Sequence, residues 1–251
     1  MIRSFIEAAG AQTTLFWQTM YWTIKSLKSG KFSFQNLINQ MSIIGVDSFL
    51  MVAISGFSLG AVLVVQIGFQ FANMGAQSYV GGVVALAMTR EIAPIMTAIV
   101  VAGRIGSSMA AEIGTMKITE QIDALTVLKV NPIRYLFVPR VLSGIIMMPI
   151  LVVIASAFGI LTGAITTAMT TELSFLAYFD SAWIGIYMKD LSVCLLKSVT
   201  FGGTIALVSC SCGYQAWGGA KGVGLATNKA VVWSFVAIVI WDLIFSIAFF
   251  F

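Results

Sequence analysis

The 251-residue chain contains no histidine and is poor in charge, with 14 Lys+Arg and 10 Asp+Glu making up 10% of the sequence. The absence of imidazole argues against most metal sites and against histidine-based acid–base or nucleophilic catalysis. A soluble domain carries roughly 25% charged residues, because polar groups must cover its surface. The shortage here excludes a water-facing globule. A phosphate loop is also missing, since Gly30-Lys31 has neither the upstream glycine spacing nor a following Ser or Thr. No phosphate-loop nucleotide site is therefore expected in this chain. The glycine cluster from Gly218 to Gly224 looks superficially like a phosphate cradle. It follows an apolar span rather than a strand, so it reads as a flexible turn. Of cysteine there is little: Cys194, Cys210 and Cys212 all sit in apolar or small-residue sequence. The Cys-x-Cys pair reads as small apolar helix residues, in preference to redox or metal chemistry.

What is present is apolar: 59% of residues are hydrophobic and the mean hydropathy is +0.98. A bilayer removes the need for a polar surface, so the class is membrane protein. A spanning helix needs about 20 mostly apolar residues. Five segments qualify, near Ser48–Phe69, Val80–Gly103, Val141–Thr167, Leu191–Gly213 and Ala230–Phe251. The third is long, with no charge between Arg140 and Glu172. Tilt, a kink near Pro149 or a protruding outer end would absorb the surplus.

Basic residues alternate by link. Arg3, Lys25, Lys28 and Lys31 precede span one, while the link from Gln70 to Tyr79 has no Lys or Arg. Arg104, Lys117, Lys129, Arg134 and Arg140 follow span two, and Lys221 and Lys229 lie between spans four and five. The link after span three sets Lys189 against Glu172, Asp180 and Asp190. The positive-inside rule then places the N-terminus in the cytoplasm and the C-terminus outside. Residues 1–40 read as an N-terminal region separate from a membrane domain over 41–251. They do not form a cleavable signal, because Glu7 and polar residues interrupt any apolar core. Ile2, Phe5, Ile6, Ala9, Phe16, Trp17, Met20, Ile24 and Leu27 approximate a helical stripe, with Trp22 and flanking lysines. Such an amphipathic helix lies at the membrane interface or packs against the spans.

Arg90, Glu91, Lys197 and Asp242 fall inside expected spans. A charge at the bilayer centre costs about 2.5–3.5 kcal/mol on insertion scales, so such residues face protein or a water-filled cavity. Adjacent helical residues point about 100° apart, so Arg90 and Glu91 need not pair with each other. Pro94 frees a carbonyl one turn away, which suits a lined cavity. Lys197 either snorkels to the nearby end of its span or joins the others. A structural ion pair is the competing account of the whole set.

The link after span two is the most informative. Asn131-Pro132 is expected to end a helix, and Thr119 to cap one whose first turn holds Glu120 and Asp123. Ile118, Ile122 and Leu125 would line one side, leaving Glu120, Asp123 and Lys129 accessible. Such a short amphipathic helix is something a motor protein could grip; an inert surface loop is the alternative. Here the sequence resembles the MlaE-type permeases. The run Arg90-Glu91-Ile92-Ala93-Pro94 leads to Ala102-Gly103-Arg104-Ile105-Gly106-Ser107 and Ala110-Ala111-Glu112-Ile113-Gly114-Thr115-Met116. Thr119-Glu120-Gln121-Ile122-Asp123-Ala124-Leu125, Asn131-Pro132 and Val138-Pro139-Arg140 continue it. Gly222-Val223-Gly224, Ala230-Val231-Val232 and Asp242 also match, so the likeness covers roughly residues 40–250.

The resemblance implies an all-α polytopic membrane protein: an N-terminal interfacial helix, five transmembrane helices, and a cytoplasmic coupling helix between spans two and three. It implies a non-catalytic permease subunit of an ATP-binding-cassette transporter for phospholipids or related lipids. Two copies would pair with two cytoplasmic ATPase subunits that bind ATP and Mg, so this chain itself needs no cofactor. An external MCE-domain lipid-binding protein, and an accessory cytoplasmic subunit, are further expected partners; nucleic acid is not. A bacterial inner membrane is the expected setting, and plastid relatives share the motif. Coupling to the ATPase falls on Glu112, Thr119, Glu120, Gln121, Asp123, Ala124 and Leu125. The substrate cavity falls on Arg90, Glu91, Pro94, Lys197 and Asp242. An ion-coupled transporter or channel is the competing function, and an intramembrane enzyme a more distant one for want of any nucleophile or metal constellation.

Overall fold

The computed structural model describes residues 14–15, 17–25, 34–171 and 173–250. The readings made on residues 1–13, Phe16, Leu27, Lys28, Lys31, Glu172 and Phe251 lie outside these. Every regular element among the described residues is helical. Lipid offers no partner for backbone N–H and C=O groups, and a helix satisfies them within one segment. In chain order the α-helices are α1 (residues 17–25), α2 (Phe34–Asn73), α3 (Val80–Ala87), α4 (Ala93–Val101), α5 (Ser107–Ile118) and α6 (Gln121–Val127). They continue with α7 (Val138–Thr170), α8 (Phe175–Gly185), α9 (Met188–Tyr214) and α10 (Gly219–Phe250).

Among the described residues five continuous helical runs are long and apolar enough to cross a membrane: Phe34–Asn73, Gln77–Ile118, Ile133–Thr170, Met188–Tyr214 and Gly219–Phe250. Each contains one of the five expected spans and extends beyond it, the last up to the final described residue. Gln77–Ile118 joins α3, α4 and α5 through π-helical turns at Met88–Ile92 and Ala102–Gly106, and a third such turn, Ile133–Phe137, leads into α7. The π-turn admits an extra residue per turn and recurs at functional sites. Two of the three fall on the Arg90-Glu91 and Gly103-Arg104 motifs. α7 runs through Pro149, so its apolar surplus is carried by one 33-residue helix.

The chain divides into two compact units. The first takes in the described residues up to Ile44 with Val101–Met147 and Gly202–Ala237. Its core joins Leu15, Ile113, Ile122, Ile133, Leu136, Phe137 and Cys210, with Trp22, Leu125 and Tyr214 packed against them. Leu15 and Thr19 of the N-terminal helical segment are buried, while Trp17, Met20, Tyr21 and Ile24 are exposed. That segment therefore packs by one face, as the packed-helix reading requires, and exposes apolar and aromatic side chains on the other.

The link after span two departs from expectation. Its first part is not a loop, because helix continues from Gly103 to Ile118. Thr119 does not cap α6: its hydroxyl donates to Thr115 O at 2.8 Å, and the N-cap position is Glu120, left-handed at φ 59. A left-handed residue makes the corner between α5 and α6, leaving Thr119 on the outgoing turn of α5. Nor does Asn131-Pro132 end a helix. The end comes earlier, where Val130 N–H donates to Leu125 O at 2.9 Å and Lys129 N–H to Thr126 O at 3.0 Å. This is the Schellman pattern, with Lys129 at φ 58 in the place that glycine usually takes. Asn131 starts the next helical run instead, its side-chain oxygen accepting from Ile133 N–H at 3.0 Å and Arg134 N–H at 3.2 Å.

The second unit comprises Gly45–Val100, Met148–Phe201 and the described residues from Ile238 on. Here α2 and α7 approach to backbone contact at Gly56 and Gly60. A Cβ at Gly56 would stand 2.5 Å from Ala155 O, and one at Gly60 would collide with the Gly159 backbone. The Gly56-x-x-x-Gly60 spacing thus serves close helix packing, and its partner is α7. Sequence reasoning missed α8. It lies between spans three and four, opens with Ser174 accepting from Ala177 N–H at 3.3 Å, and packs on α3 through Gly81, Gly82 and Gly185.

Candidate functional site

The four charges expected inside spans all lie in the second unit, where the side chains of Glu91, Lys197 and Asp242 meet. Lys197, on α9, is completely buried. Its ammonium lies 2.8 Å from Glu91 Oε2, 2.8 Å from Asp242 Oδ1, 3.0 Å from Ser246 Oγ and 3.1 Å from Arg90 O. An ammonium has three donors, fewer than the four oxygens around it. Lys197 does not snorkel; desolvation of its charge is offset by two carboxylates. Ser246, in turn, donates to Glu91 Oε1 at 2.9 Å. Pro94 lies one turn beyond Arg90, at the edge of the π-turn. In a regular α-helix the N–H of residue 94 would bond to Arg90 O. Proline has none, and Lys197 donates to that carbonyl.

Arg90 points elsewhere and does not pair with Glu91. Its Nε donates to Asp190 Oδ1 at 2.7 Å and its guanidinium lies 4.5 Å from the centre of the Phe250 ring. Asp190 is buried and also accepts from Tyr187 N–H at 3.1 Å. That second bond is the return half of a capping box, which fixes the start of α9 while the other oxygen holds Arg90. Asp190 and Ser246 are network members that sequence reasoning passed over. Asp190 counted there only as a link residue, and a serine in an apolar span gives no signal. The whole network sets three carboxylates against two cations. Arg90 and Glu91 keep 32% and 38% of their side chains exposed, so the network is left half-open at two neighbouring residues of opposite charge.

The second set of candidates lies in the first unit, around α6. Thr119, Glu120, Gln121, Asp123 and Ala124 are exposed, Leu125 is half-buried and Ile122 is buried in the core. Lys117 reaches from α5 to Asp123 at 2.9 Å. Val127 and Leu128, at the end of the helix, are 83% and 73% exposed and were not singled out from sequence. Glu112 stands apart from α6: it pairs with the buried Arg140 at 2.8 Å, and Arg140 also donates to Leu136 O at 2.7 Å. It ties α5 to the start of α7.

Cys210 and Cys212 are buried free thiols in two different apolar clusters, so the Cys-x-Cys pair makes no joint site. Among the described residues no group of His, Cys, Asp and Glu side chains could hold a metal ion. Gly218 and Gly219, at φ 87 and 72, form the left-handed turn that starts α10.

A family model described as Permease MlaE matches residues 37–248. The chain is 40% identical to a probable ABC transporter permease protein of Synechocystis, over 86% of this chain and 82% of that one. It is 37% identical to a probable ABC transporter permease protein of Rickettsia conorii, over 100% of this chain and 99% of the relative. To the chloroplastic protein trigalactosyldiacylglycerol 1 of Arabidopsis thaliana it is 38% identical, over 88% of this chain and 63% of the relative.

Proposed function

The chain belongs to the MlaE permease family and is a non-catalytic membrane subunit of an ABC transporter; from that premise we propose that it moves phospholipids or related lipids between the cytoplasmic membrane and an external MCE-domain partner. The observation that carries the lipid reading is the half-open edge of the Lys197 network. Arg90 and Glu91 offer one charge of each sign to a headgroup, and the apolar helices around them offer walls for acyl chains. Buried Lys197 and Asp190 hold that edge in place, so a headgroup would meet an oriented site. The Arabidopsis relative, named for a galactolipid, is in keeping with an amphiphilic cargo.

The motor contact falls on α6. Glu120, Gln121, Asp123 and Ala124 are presented to the outside, with Val127 and Leu128 as apolar knobs beside them. Two copies of the chain and two ATPase subunits form the working assembly, and an accessory cytoplasmic subunit is compatible with it. The basic links place α6 and the start of the chain on the cytoplasmic side, and the end of the chain outside. A bacterial inner membrane is the setting. ATP closure of the motor would push α6, tilt the spans and alternately expose the Arg90–Glu91 edge. An ion-coupled mechanism has no role in a subunit driven by a partner ATPase.

The test is purification of the tagged chain from mild detergent with its partners, followed by ATPase and lipid-transfer assays in vesicles. Recovery of an ABC ATPase and of an MCE-domain protein is expected. Glu91→Gln should abolish most phospholipid transfer while the complex stays assembled, and Glu120→Lys with Asp123→Lys should release the ATPase. Undiminished transfer by a well-folded Glu91→Gln complex would remove the headgroup role.

A further inference from the structure

We propose that α8 is an interfacial helix, whose exposed apolar face lies in the headgroup–acyl boundary of the bilayer on the side where spans three and four are joined. Eleven residues rise only about 16 Å, too little to cross a core of about 30 Å. The helix is nevertheless apolar on two sides. Tyr178 and Ala182 are buried, while Leu176, Trp183 and Ile184 are 75%, 86% and 75% exposed. Positions 176, 183 and 184 are spaced by seven and eight residues and share one face of a helix. Three large exposed apolar side chains grouped around a single carboxylate, Asp180, make an amphipathic face that suits a boundary between lipid and water.

The connections decide what covers it. Only Ile186 and Tyr187 separate α8 from α9. Three Cα–Cα steps join Gly185 to Met188, at most about 11 Å, so the Gly185 end of α8 stays near the level at which α9 begins. That level is the membrane boundary: Lys189 and Asp190 mark the start of α9, and an apolar span follows them. Exposed apolar side chains also flank the junction: Met169 near the end of α7, Tyr187 before α9 and Met188 at its first position are 82%, 65% and 82% exposed. Trp and Tyr are the side chains that favour headgroup depth. Asp180, exposed on the same face, fits that depth and not the hydrocarbon core, where a carboxylate would be expelled.

The helix is also fastened to the candidate site. Gly82 N–H donates to Ser181 Oγ at 3.0 Å, and a Cβ at Gly185 would stand 2.6 Å from Gly82 Cα. The same α3 run leads into Arg90, and the α8–α9 corner carries the Tyr187–Asp190 bond that orients it. A helix pinned to the headgroup layer therefore sets the depth of α3 and of the Arg90 guanidinium. This inference requires a bilayer but no particular cargo or partner.

The experiment is collision accessibility of nitroxide labels on the full-length chain in phosphatidylcholine nanodiscs, with labels at Leu176→Cys, Trp183→Cys and Ile184→Cys. Gly75→Cys, in the turn after α2, serves as the aqueous reference. Oxygen collisions should exceed those of a water-soluble nickel chelate at the three α8 positions, and the reverse should hold at Gly75. A second reading needs no label. The fluorescence lost in Trp183→Phe should be quenched, in the unmodified chain, by phosphatidylcholine brominated near the headgroup end of its acyl chains, and less by bromine near the chain ends. Nickel access above oxygen access at positions 183 and 184 would put the face in water. Low access to both reagents, with no quenching, would put protein over it. Either result overturns the proposal.

Discussion

Two lysine–carboxylate pairs of nearly equal length behave as different physical objects in this molecule. Lys197 lies 2.8 Å from Glu91 in the second unit, with its side chain fully buried, and Lys117 lies 2.9 Å from Asp123 in the first, with 31% and 58% of the two side chains exposed. Geometry does not separate them; solvent does. Water competes for both partners of the exposed pair, whose worth is about 0–1 kcal/mol. The buried lysine has no such alternative, and Glu91, Asp242, Ser246 and the Arg90 carbonyl replace its hydration shell. Between these extremes stands Arg140 with Glu112, buried at one end and 54% exposed at the other.

Removing one partner from each pair should rank them by burial. Lys197→Ala leaves the Glu91 and Asp242 carboxylates facing each other across apolar helices. A loss of about 3–5 kcal/mol is expected, read as a fall in thermal unfolding temperature in detergent. Combining Lys197→Met with Glu91→Gln and Asp242→Asn should recover much of it, since no charge is then left unpaired. Failure to recover would mean that the network is held by packing and not by charge. Glu112→Ala removes the acid from a guanidinium that keeps only the Leu136 carbonyl, and should cost about 1–3 kcal/mol in the same assay. Lys117→Ala should cost under about 1 kcal/mol. A Lys117 effect as large as that of Lys197 would show that burial is not what divides the two regions.

The glycines make a similar point about pairing. Gly56-x-x-x-Gly60 is readable in the sequence as a surface that admits another backbone. That it admits α7 at Ala155 and Gly159 follows only from helices brought together over about 100 residues of chain. The corners around α6 escaped sequence reasoning for another reason. Thr119 and Asn131-Pro132 carry good local signals for a cap and a stop, yet Glu120 and Lys129 take the left-handed turns. Those conformations cost a non-glycine residue roughly 1–2 kcal/mol. Local preference does not reveal them, because burying Ile122 in the core of the first unit, with Leu125 packed against it, outweighs it.

The sequence by itself determined the membrane class, the number of spanning runs, the family motif and the presence of four charges that had to be satisfied inside apolar helices. Each of these is a property of a short stretch read against the thickness and polarity of a bilayer. Tertiary structure decided which charge meets which, that Asp190 and Ser246 complete the network, that Pro94 releases a carbonyl to Lys197, and that an eleven-residue apolar segment is the helix α8 instead of a loop. These depend on contacts between residues about 50 to 155 positions apart. Hydropathy and helical period carry no record of such contacts, because every span that could supply a partner looks equally apolar until the helices pack.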